Sequence, residues 1–169
     1  VVIRGNRIGT NAAGTAASSN NYGVEAAGST GLVVGGAAPG EGNLISGNSF
    51  GVYLNGATGS TVRGNLIGTD AAGTGSIAGT SYGIYSFFAT GTTVGGAGPG
   101  DGNVIAGSSN AIYLYIPTGG IVRGNFIGVA ADAVGASTGR GKAYFVERLL
   151  NDVMLGESGL AGMNRRLEV

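Results

Sequence analysis

One phrase of asparagine, a variable residue and isoleucine recurs five times, as Asn6-Arg7-Ile8, Asn43-Leu44-Ile45, Asn65-Leu66-Ile67, Asn103-Val104-Ile105 and Asn125-Phe126-Ile127. The intervals between the asparagines are 37, 22, 38 and 22 residues, so long and short spacings alternate. The larger unit is therefore about 60 residues, and Arg4, Arg63 and Arg123, each two residues ahead of an asparagine of the phrase, mark its period. The chain has 37 glycines among 169 residues, too few large side chains for a conventional compact core. Stacked copies of one supersecondary unit are the alternative, because each copy can bury its apolar face on the next.

Two further runs lie between the asparagine phrases. Gly23-Val24-Glu25-Ala26, Gly51-Val52-Tyr53-Leu54, Gly83-Ile84-Tyr85-Ser86 and Ala111-Ile112-Tyr113-Leu114 alternate as strands do, and a short β-branched pair at Val34, Val62, Val94 or Val122 closes each turn. Three short strands in a 22-residue turn suit a coil that pairs in parallel with its copies at about 4.8 Å. Equivalent residues then form inward columns: Ile3, Val34, Val62, Val94, Val122; Ile8, Ile45, Ile67, Ile105, Ile127; and Val24, Val52, Ile84, Ile112. An inward asparagine at a corner can hydrogen-bond to its copies above and below, which predicts a ladder of Asn6, Asn43, Asn65, Asn103 and Asn125. The long spacings hold the same rung plus excursions, and these are expected to fold over the outward column of Arg7, Leu44, Leu66, Val104 and Phe126.

These motifs resemble the right-handed parallel β-helix repeat proteins of the pectin-lyase-like superfold, in particular the repeats of large bacterial secreted and surface proteins. The resemblance covers residues 1–138 and implies an all-β, right-handed parallel β-helix of three strands per coil and four to five coils. A β-propeller is the other fold considered, but its antiparallel blades give no reason for one inward asparagine per strand triplet. The pattern changes after residue 138. From Ala143 to Met154 apolar residues fall at helical spacing, predicting a short C-terminal α-helical segment, so residues 139–169 read as a helical cap or the start of a different segment. The chain starts at Val1 in mid-repeat, which reads as part of a longer chain.

Histidine and cysteine are both absent, which removes the commonest general base, the commonest metal ligand and any disulfide framework. Nine basic and nine acidic side chains balance, giving no electrostatic reason to expect nucleic acid, and no apolar run is long enough for membrane insertion. Enzymes of the resembled superfold act on acidic polysaccharides through clustered acids, calcium and a basic residue. Here the acids are dispersed, and only Arg63 between Glu41 and Asp101 offers an acid, base, acid arrangement on one wall. The turns around Asp70 and Asp101 could offer oxygens to calcium, but they lack dense alternating acids; the expectation is no metal and no cofactor.

The outward residues carry the sharper feature. Alternation sets Tyr53, Tyr85 and Tyr113 in one outward column, with Phe87 and Tyr115 in the next, an aromatic wall suited to a carbohydrate or a surface protein. The expected function is a non-catalytic, extended scaffold or adhesive segment of a bacterial secreted or cell-surface protein. The alternatives are a polysaccharide lyase or glycoside hydrolase, and an ice-binding solenoid. The last would want a flat threonine face, whereas the threonines lie mainly at loops and corners.

Overall fold

The computed structural model describes residues 1–128 throughout and, beyond them, the backbone of two strands, Lys142–Val146 and Met154–Leu155. The chain winds in coils of three strands. The first coil is β1 (Val2–Ile3), β2 (Arg7–Ile8) and β3 (Tyr22–Ala27); the second is β4 (Val33–Gly35), β5 (Leu44–Ile45) and β6 (Phe50–Asn55). The third is β7 (Thr61–Arg63), β8 (Leu66–Ile67) and β9 (Thr80–Phe87), and the fourth β10 (Thr93–Gly95), β11 (Val104–Ile105) and β12 (Ser108–Tyr115). Then follow β13 (Ile121–Arg123), β14 (Phe126–Ile127), β15 (Lys142–Val146) and β16 (Met154–Leu155).

Every strand pairs in parallel with its equivalent one coil on, so the coils build three sheets: β1-β4-β7-β10-β13-β16, β2-β5-β8-β11-β14 and β3-β6-β9-β12-β15. The result is an all-β parallel solenoid of about four turns. The register aligns the apolar columns residue for residue, with Val34 on Val62, Ile45 on Ile67 and Val52 on Ile84. Those six side chains are wholly buried, and with Leu54, Val94, Ile105 and Ile112 they form one continuous core along the axis. Burial of such side chains, each worth about 1.5–3 kcal/mol, is the main stabilising term, and it accumulates coil by coil.

The asparagines stand in one column at the corner between the first and second sheets. The backbone N–H and Nδ2 of Asn43 both donate to Oδ1 of Asn65, at 3.1 and 2.9 Å, and Asn6 does the same to Asn43 at 3.0 and 3.1 Å. Asn65 repeats the pattern on Asn103, and Asn103 on Asn125. The other hydrogen of each amide turns to the first sheet: Asn43 to Ile3 O, Asn65 to Val34 O, Asn103 to Val62 O and Asn125 to Val94 O. Donors and acceptor are thus engaged at each buried rung, which is what allows a polar column to sit beside the core.

Excursions leave two corners in alternation. The first and third coils carry an arm between their second and third strands, closed by the antiparallel bridges Thr10↔Ala17 and Thr69↔Ser76, whereas the second and fourth carry a loop between their first and second strands. The arms of the first and third coils meet across the second, where Ala71 N–H donates to Gly14 O at 3.0 Å. They fold over the outward face of the second sheet and leave Leu44 and Val104 buried, while Phe126 stays 39% exposed. The corner between the third strand and the next coil's first strand has one length throughout, at residues 28–32, 56–60, 88–92 and 116–120.

The tail differs from the helical expectation. Lys142–Val146 is a strand on β12, pairing Tyr113↔Tyr144 and Tyr115↔Val146, and Met154–Leu155 is a strand on β13. Strand edges left open at the end of a solenoid offer a row of backbone donors and acceptors, and a run such as Ala143-Tyr144-Phe145-Val146 has the β-branched and aromatic content to take them. The rest of the expected helix lies outside the described residues.

Candidate functional site

The outer face of the third sheet is an aromatic wall. Tyr53 stacks on Tyr85 with ring centroids 5.3 Å apart, and Tyr85 on Tyr113 at 4.9 Å, because their strands pair in register. Phe87 stacks on Tyr115 at 5.1 Å in the adjoining column. A further column, Tyr22, Phe50 and Tyr82, stands on the other side at 5.2 and 5.1 Å. Strict alternation misses it: Phe50 lies two residues from the inward Val52, so period 2 would turn it to the core. Gly51 and Val52 are instead buried side by side, and Phe50 and Tyr53 both face outward with their rings 5.6 Å apart. Glycine permits this because a Cβ at Gly51 would run into the backbone of Gly83 one coil on. The run Tyr-Gly or Phe-Gly ahead of the inward Val24, Val52 and Ile84 was the available signal.

Stacking decides what this wall can do. Within the columns the rings lie face to face, at interplanar angles of 29° for Tyr53–Tyr85 and 19° for Tyr85–Tyr113, so their faces cover one another and their edges and hydroxyls point outward. Burial within the stack, followed by the neighbouring tyrosines, raises the pKa of Tyr85 above the ordinary phenol value; burial, then Tyr22 and Glu25, does the same at Tyr53. The wall presents a row of phenol hydroxyls at strand spacing, able both to donate and to accept.

The charged residues pair one coil apart. Arg63 Nη1 lies 3.2 Å from Asp101 Oδ1, while Glu41 goes to Arg4 at 2.6 Å, so the structure joins Arg63 to one of the two acids proposed for it. The second oxygen of each acid accepts a loop N–H, Ala38 to Glu41 and Gly98 to Asp101. Asp70 accepts the N–H groups of Thr74 and Gly75 on its two oxygens, closing its arm as a turn. Among the described residues no three acids cluster as metal ligands would. An open hollow of about 570 Å³ lies between the excursions, bordered by Arg7, Pro39, Leu44, Leu66 and Ala71. Arg7 spends one guanidinium hydrogen on the carbonyl of Ala12 there.

At the constant corner, Thr30, Thr58, Thr90 and Thr118 are bridged in parallel into one exposed column. Repeated corners hence align the threonines that the sequence scatters. The column borders the bulky Phe88 and Ile116 on its last two coils, so it is not part of a flat hydroxyl face.

Fold and surface together define the class of protein as a parallel β-solenoid of repeated coils. Compared with family models, curated proteins and solved structures, the chain finds no match.

Proposed function

We propose that this chain is a non-catalytic, extended scaffold or adhesive segment of a bacterial secreted or cell-surface protein, presenting a carbohydrate- or protein-binding wall. The observation that carries this reading is the contrast between inside and outside. The buried columns repeat almost unchanged from coil to coil, which builds length, while the third sheet spends its outer face on stacked rings: Tyr22, Phe50, Tyr53, Tyr82, Tyr85 and Tyr113, with the Phe87–Tyr115 pair beside them. Aromatic side chains half exposed in a contiguous patch are the usual makings of an interface. Lyase or hydrolase chemistry has less support, since Arg63 and Asp101 neutralise each other.

The test is an array of glycans and surface extracts probed with wild type and with Tyr85→Ser, using circular dichroism as the folding control. Binding should weaken by on the order of 1–2 kcal/mol in the variant, because Tyr85 is the central ring of its column. Equal binding by the two proteins would leave the wall as strand chemistry alone.

A further inference from the structure

Phe88 and Ile116 are the two non-glycine residues with positive φ among the described residues, at 50° and 48°. Both occupy the first position of the constant corner, where the two earlier coils use Gly28 and Gly56 at 60° and 61°. Left-handed backbone is costly for any side chain and most for a β-branched one. A glycine would satisfy the same turn, as it does twice in this chain. Phe88 is nevertheless 49% exposed, so core packing does not account for it.

Its orientation differs from that of every stacked ring. Phe87 and Tyr115 stack on each other, and Phe88 is nearly perpendicular to both, at 81° and 83°, with centroids 4.5 and 5.5 Å away. A ring that close to two stacked neighbours cannot meet them edge to edge, nor fit between them. It therefore meets them face to edge and keeps 49% of its surface exposed. Exposed hydroxyls of Thr90 and Thr118 stand on the same corner, and Tyr115 adds its phenol. Residues 80–100 and 102–122 hold no charged side chain.

We propose that Phe88, backed by Phe87 and Tyr115 and flanked by Thr90 and Thr118, is a stacking platform for one ring of a neutral pyranose glycan. A free aromatic face takes the C–H face of a sugar, and the hydroxyls around it take the sugar's equatorial groups. Among the described residues the corners at 28–32, 56–60, 88–92 and 116–120 carry no charged side chain, which selects a neutral sugar over a uronate, whose carboxylate would lose hydration with no described cation to offset it. This rests on the carbohydrate half of the proposed function and moves the anchor from the tyrosine columns, whose faces are covered, to the corner.

The probes are cellohexaose, mannohexaose and chitohexaose, with hexagalacturonate as the charged contrast, read by isothermal titration and by saturation-transfer NMR. Wild type should bind at least one neutral hexamer and prefer it to the uronate. Phe88→Gly, which installs the residue of the earlier coils and so keeps the fold, should lose about tenfold or more in affinity, while the exposed Ser81→Ala stays within twofold. Retained binding in a folded Phe88→Gly protein overturns the platform and leaves the wall reading standing. Failure of every neutral hexamer to bind wild type, or preference for the uronate, also overturns it, and the surface-extract arm of the array then reads protein binding separately.

Discussion

Asn65 donates to Oδ1 of Asn103 twice, from Nδ2 at 2.9 Å and from its backbone N–H at 3.1 Å, so one side-chain oxygen takes two hydrogen bonds across the step to the next coil. Asn65→Leu removes the acceptor that serves both donors of Asn43 and leaves Asn103 Oδ1 with the backbone N–H of residue 65 alone. We expect a loss of roughly 1–3 kcal/mol, the cost of buried groups left unpaired, seen as a lowered thermal midpoint. An unchanged midpoint would show that the column is incidental to stability.

The raised pKa values of Tyr53 and Tyr85 set a pH dependence. The folded state holds these phenol protons to higher pH than the unfolded chain, so the stability linked to them is complete below the ordinary phenol pKa of about 10 and is lost as pH rises through the folded values. Absorbance at 295 nm should show phenols titrating above the ordinary phenol value, and the denaturation midpoint should fall over the same range. Tyr85→Phe should remove one of the late-titrating groups; a loss confined to the phenols that titrate at the ordinary value would place Tyr85 among them.

With Arg63 paired to Asp101, incubation with pectate, alginate or other uronate polymers, with or without calcium, should release neither unsaturated nor reducing ends. Arg63→Ala should cost roughly 0–1 kcal/mol of stability, as partly exposed ion pairs do. Turnover by wild type that Arg63→Ala abolishes would promote the lyase reading.

The column Ile8-Ile45-Ile67-Ile105-Ile127 can be read in the sequence because each isoleucine lies two residues after an asparagine, and Ile3-Val34-Val62-Val94-Val122 because its members lie three or nine residues before one, in alternation; parallel pairing then brings each column into register. Tyr22, Phe50 and Tyr82 cannot be read by alternation, because Gly23, Gly51 and Gly83 break the period-2 rule just where the rings leave the core. Nor can Phe88: its meaning lies in a dihedral angle and in the two glycines it replaces. The tail misled for another reason. Local spacing from Ala143 onward suits a helix, but the edges of β12 and β13 are tertiary partners that no local pattern reports.

Gly51→Ala tests the close approach that lets Phe50 turn outward. The added methyl would press on the carbonyl oxygen of Gly83, which is backbone and cannot rotate away. Ala111, the member of this column that has a Cβ, sits where the pairing of β12 with β15 shifts register between Asn110 and Tyr113. A destabilisation of about 1–3 kcal/mol is expected, with a change in near-ultraviolet tyrosine dichroism as Phe50 and Tyr53 are displaced. A variant with wild-type stability would mean that the strand absorbs the methyl by a similar shift.

Alternation of the excursions makes the two-coil unit, and not the single coil, the element that can be repeated. The arms of the first and third coils touch across the second through Ala71 N–H and Gly14 O, so an arm fills the height of two rungs. Duplicating residues 6–64 in tandem adds a complete unit, keeps arms on every other coil and extends all three sheets. By nearest-neighbour additivity it should raise the thermal midpoint and lengthen the particle by two rungs, about 10 Å, in small-angle scattering. Duplicating residues 6–42 alone sets two arm-bearing coils on adjacent rungs, about 4.8 Å apart, where the arms collide. That protein should melt lower than wild type or aggregate. If both duplications fold equally well, the arms are independent of one another and the 60-residue period has no structural cause.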